Sequence, residues 1–102
     1  MKQVYPVIFT PLNDEKDTVL IEVPDLDILT EGYGMADAVE MARDAIGLKG
    51  ISYQDKGIDL PEPSALNGID VSQGTFAEEG TGCVSFVDIN FESKSLNLVK
   101  FP

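Results

Sequence analysis

Punctuation by proline and glycine in the first third of this chain restricts its fold more than any other feature. Pro11, Pro24 and the glycines at 32 and 34 cut it into three short apolar segments, each too short for a stable helix. The first, Val4 to Phe9, is β-rich apart from Pro6, which cannot donate to a ladder and so predicts an edge strand or one bent near its start. Asn13-Asp14-Glu15-Lys16 is a polar cluster of hairpin-loop type, and Thr18-Val19-Leu20-Ile21-Glu22-Val23 after it is the second strand. Within Leu26 to Tyr33 lies a third strand, with Ile28 and Thr30 on one face and Leu29 and Glu31 on the other. Three sequential antiparallel strands make a meander.

Past Gly34 the period changes. Met35, Ala38, Val39, Ala42 and Ile46 form the apolar stripe of a helix reaching to about residue 54, which covers the sheet. Glu40 and Arg43 stand three apart on its other side and can pair, whereas Glu40 and Asp44 repel. Gly47 and Gly50 each cost about 1 kcal/mol relative to alanine inside a helix, so either the helix frays there or a neighbour approaches its backbone.

Leu60-Pro61-Glu62-Pro63-Ser64 excludes helix and reads as an extended strap. Residues 65–80, rich in glycine and acids, predict a partly ordered loop. Cys83 to Phe91 is the clearest strand: Cys83, Val87, Ile89 and Phe91 share one face and Val84 and Phe86 the other, which predicts a position interior to the sheet. The expected class is α+β, in the order β-β-β-α-β, with a domain over residues 1–92 and a tail over 93–102. Leu96, Leu98, Val99 and Phe101 make that tail too apolar for a free end, and it is expected to add a strand or to contact a second subunit.

The chemistry is restricted as well. Eighteen acidic residues against 7 basic ones give a formal net charge of −11. Such a field repels phosphate backbones and anionic lipid and speeds encounter with a basic protein, so neither nucleic acid nor membrane is an expected partner. From Gly57 to Ser93 there is no Lys or Arg at all, against the acids Asp59, Glu62, Asp70, Glu78, Glu79, Asp88 and Glu92. With no histidine, the commonest general base is missing. Neither Gly32-Tyr33-Gly34 nor Gly80-Thr81-Gly82 has the spacing of a phosphate-binding loop. Cys83, the lone cysteine, predicts a packed thiol and a reducing, cytoplasmic setting. No catalytic residue, metal site or cofactor is expected. A magnesium-dependent nuclease using Asp25, Asp88 and a helix acid is an alternative, weakened because the first strand carries no carboxylate.

Tyr5-Pro6-x-x-Phe9, Val23-Pro24-Asp25-Leu26, Gly32, Ala38-x-x-x-Ala42-Arg43-x-Ala45 and Leu60-Pro61-Glu62-Pro63-Ser64 occur in this order over residues 4–64. Together they resemble the HicB-type antitoxin family. That resemblance implies a degenerate, partial ribonuclease H-like domain which neutralises a small basic HicA-like toxin that cleaves messenger RNA, and which assembles as a homodimer or higher oligomer. The sequence departs from the family twice. Asp27-Ile28 stands where the family commonly carries Gly-Cys, and the sequence holds no basic recognition helix, so operator binding is not carried over. The acids of the third-strand and helix region, Asp25, Asp27, Glu31, Glu40 and Asp44, are the candidate toxin-binding residues, and Leu96, Leu98, Val99 and Phe101 the candidate oligomer contact. The remaining alternative is an orphan homo-oligomeric regulatory or structural domain.

Overall fold

The computed structural model describes residues 2–91. It is a four-stranded antiparallel sheet with one helix, an α+β arrangement in the expected element order. The strands are β1 (Lys2–Pro11), β2 (Thr18–Val23), β3 (Ile28–Tyr33) and β4 (Cys83–Asn90), and the helix α1 spans Met35–Asp55. The tail residues Leu96, Leu98, Val99 and Phe101 lie outside the described residues.

The sheet order β3-β2-β1-β4 differs from expectation at β1, read as an edge strand or one bent near its start, and at β4, read as interior to the sheet. β1 is interior and β4 is an edge. Pro6 is tolerated inside because β1 pairs with β2 only from Ile8 to Pro11, while it pairs with β4 from Lys2 to Phe9, so at Pro6 the ladder is one-sided. The apolar residues of β4 do not mark burial on both faces: Phe86 is 49% exposed, and Cys83 is an exposed thiol rather than a packed one.

One face of the sheet carries the core. Tyr5, Val7, Phe9, Ile21, Val23, Val87 and Ile89 pack there with Ala38, Ala42 and Ile46 of α1. Met35, expected in the helical stripe, is exposed at its first turn, and Gly47 and Gly50 are buried instead. The helix runs unbroken past both glycines, with the Phe91 ring seated against Gly50 where a methyl group would otherwise stand. Gly32 does the same for β3: a Cβ there would lie 2.7 Å from the Ala38 Cα, so its absence sets how closely helix and sheet approach.

A helix returning directly from β3 would deliver a strand parallel to β1. Here the chain makes one more pass. The strap turns under the sheet, where the Tyr5 hydroxyl donates to the Pro61 carbonyl at 2.8 Å. Residues 65–82, of which 65–80 are expected to be a partly ordered loop, then run over the second face with two 3-10 turns, Leu66–Gly68 and Val71–Gln73. Both Gly74 and Gly82 lie against Ile8. The Glu22 carboxylate accepts from the Thr75 amide at 2.8 Å and its hydroxyl at 3.0 Å. This extra pass buries Ile8 and Thr10 and makes β4 antiparallel to β1.

Candidate protein-interaction surface

The five candidate acids do not form one cluster. Asp25 lies in the 3-10 turn Pro24–Leu26 and is only partly exposed, and its carboxylate accepts from the Ser64 amide at 2.7 Å and the Ser64 hydroxyl at 2.6 Å. It clamps the strap beneath the sheet. Burial, and then the charge of Asp25, push the Tyr5 phenol above its ordinary range. Asp25→Ala is expected to destabilise the fold by about 2 kcal/mol, because two hydrogen bonds to a charged acceptor are lost. Chemical denaturation checks this, and a midpoint equal to that of the parent would show that the strap is not held there.

Asp27 follows that turn with φ 53°, a left-handed conformation. Asp and Asn tolerate this region best among residues with a side chain, which is why the turn can close without a glycine. Its side chain is exposed. Glu31 is exposed in the middle of β3 and accepts from the Tyr33 hydroxyl at 2.7 Å, which holds the Tyr33 phenol above its ordinary range.

Glu40 and Asp44 are exposed on α1, on the opposite side of the sheet from the Glu31 side chain. Glu40 accepts from Arg43 Nη1 at 2.7 Å, the pair the spacing predicts. Arg43 does more than the sequence indicates. Its Nε donates to the Asp88 carbonyl at 3.0 Å and its Nη2 to the Asp88 carboxylate at 3.0 Å, tying the helix to β4, while Lys2 Nζ stands 3.3 Å from the same carboxylate. Hydrogen bonding to Arg43, and then to Lys2, holds the Asp88 carboxyl below the ordinary range of about 3.9. A depressed carboxylate stabilises the fold above its unfolded pKa, and that contribution disappears as the pH falls through the folded value. Stability between about pH 5 and pH 2 should therefore fall less steeply in Asp88→Asn than in the parent, as read by pH-dependent denaturation. Equal slopes would remove Asp88 from the acid response.

The alternative metal site does not assemble from these parts. Asp25 is bound by Ser64 and Asp88 by Arg43 and Lys2, and among the described residues no group of three or more His, Cys, Asp or Glu could hold a metal ion. No helix among them is long and apolar enough to cross a membrane.

The second face of the sheet is open beside β3. There an open groove of about 510 Å³ is lined by Leu12, Leu20 and Tyr33, by the acids Asp14, Glu15 and Glu31, and by Thr18 and Lys16. Leu29 stands further along β3 on the same face, 55% exposed. The sequence reading missed Asp37, whose carboxylate accepts from the Tyr33 amide at 2.9 Å. An acid in the first turn of a helix was its only signal.

With this arrangement in view, the likeness to solved structures has a clear basis. A chain of the toxin-antitoxin complex from Streptococcus pneumoniae shares the fold, with a TM-score of 0.77 and 19% identity over 92% of this chain and 73% of that one. A chain of the HicA3 and HicB3 toxin-antitoxin complex does so with a TM-score of 0.65 and 22% identity, over 86% of this chain and 99% of that one. At these identities the likeness is one of fold. No family model and no curated protein matches the sequence.

Proposed function

We propose that this chain is the antitoxin of a type II toxin-antitoxin pair, a non-enzymatic, cytoplasmic protein that binds and neutralises a small basic HicA-like toxin which cleaves messenger RNA. The observation that carries this reading is the fold it shares with chains of two toxin-antitoxin complexes. The net charge of −11 supports it independently, because a protein that grips RNA phosphates is basic, and carboxylates can occupy the positions those phosphates would take. In this reading Asp27, Glu31, Glu40 and Asp44 supply charge to the toxin surface, and Asp25 contributes by holding the strap. Leu96, Leu98, Val99 and Phe101 serve a homodimer or higher oligomer.

Affinity capture from the native host at low and then high salt tests the proposal. One small basic protein should be recovered in stoichiometric amount, be released by salt, and cleave RNA only in the absence of this chain. Recovery of the chain alone, or of a partner whose RNA cleavage it does not block, would overturn the antitoxin assignment.

A further inference from the structure

We infer that the outer edge of β3, together with the groove beside it, receives one extended strand of a basic protein partner, which pairs with the sheet through its main chain. The inference takes the nature of the partner from the antitoxin reading and deepens it by naming the surface.

The two edges of the sheet differ in what an added strand would meet. On β4 the Arg43 guanidinium occupies the Asp88 carbonyl and carboxylate, so a strand laid there would have to displace a charged side chain from its hydrogen bonds. Among the described residues the edge of β3 is obstructed only at its end. The Tyr33 amide donates to Asp37 Oδ2 at 2.9 Å, while the next amide, Gly34, points inward to the Asp17 carbonyl at 2.8 Å. Main-chain groups alternate along an antiparallel strand, so the amides of Leu29 and Glu31 point outward, as that of Tyr33 does. Among the described residues no strand lies beyond them.

The side chains at the same three positions select the occupant. Leu29, Glu31 and Tyr33 all project onto the open face, with Leu29 55% and Tyr33 51% exposed and the carboxylate between them. An incoming strand that alternates apolar, basic and apolar side chains matches this row. A second copy of this chain matches it less well, because antiparallel pairing centred on Glu31 would oppose that carboxylate to its own counterpart, and every register brings together molecules that each carry −11.

The probe is the salt-released basic protein of the capture experiment, titrated into the 102-residue chain while amide hydrogen exchange is followed by NMR. The Leu29 and Glu31 amides should become protected on binding. Glu31→Arg should weaken association about tenfold at low salt and much less at high salt, with an unchanged melting temperature. Leu29→Pro removes an outward amide without breaking the ladder to β2 and should weaken association about tenfold at either salt concentration, a readout that a purely electrostatic contact would not give. Undiminished binding by both variants, with both amides still exchanging, would overturn the edge assignment and leave the antitoxin reading in place. Absence of any binding by the parent would remove both. Protection in the chain alone would also overturn it, assigning the edge to a second copy if it grew with concentration, or to the chain's own tail if deletion of residues 92–102 abolished it.

Discussion

Gly32→Ala is expected to cost about 2–3 kcal/mol and to lower the melting temperature by about 10–20 °C. The added methyl group would lie 2.7 Å from the Cα of Ala38, 2.9 Å from its nitrogen and 3.2 Å from the Asp37 carbonyl carbon. All three are main-chain atoms in the first turns of α1 and cannot rotate aside. The helix must lift from β3 or the strand must bend away from it, and either movement loosens a core in which Ala38 and Ala42 are fully buried. Gly34, two residues on, makes the useful contrast: its φ is 86°, but a methyl group there meets nothing within 4 Å, so its alanine variant bears backbone strain alone. A Gly32→Ala protein that melts within a degree or two of the parent would show that helix and sheet are not held at this distance.

Ile46→Ala should be comparably damaging, at about 3 kcal/mol, because the buried side of α1 otherwise consists of Ala38, Ala42, Gly47 and Gly50. These small residues let the helix sit close to the sheet but fill little volume themselves. Ile46, with no exposed surface, supplies the one fully buried branched side chain of the helix, and its truncation opens a cavity that neighbouring glycines and alanines cannot fill. Urea titration should move the midpoint while leaving the slope unchanged. The loss should shrink to about 1 kcal/mol in Ile46→Val. A similar loss in both variants would point to a helix displaced as a whole rather than to a local cavity.

The parts of this fold that depend on short-range periodicity were legible in the sequence. The meander, the faces of β3 and the extent of α1 all follow from spacing and punctuation, while at Gly50 the sequence leaves fraying and close approach both open and the structure shows the second. What failed was long-range. Pro6 was a sound reason to expect an edge strand or one bent near its start, yet proline needs only one side of its strand to be free of a ladder, and β2 begins to pair two residues later. The apolar residues on both faces of β4 were a sound reason to expect an interior strand, yet Phe86 is left half exposed on an edge. Residues 65–82 have no period to read, since they attach to the sheet through glycine backbone and through Glu22, a residue far away in sequence. The candidate acids were visible as types but not as roles. Nothing local says that Asp25 is held by Ser64, or that Arg43 reaches past Glu40 to Asp88.

The additional pass of the chain around the sheet also orders events in time. β1 is made first, but its ladder over Lys2 to Phe9 has no partner until Cys83 to Asn90 have been made, roughly the whole length of the domain later. The hairpins β1-β2 and β2-β3 and the helix that follows close short loops and can form early, whereas the β1-β4 pairing closes the longest loop and comes last. A chain still emerging from the ribosome thus holds its most buried strand half-paired. The same junction is the natural place for the finished molecule to begin opening, so the peeling of β4 from β1 should set its lifetime against proteolysis.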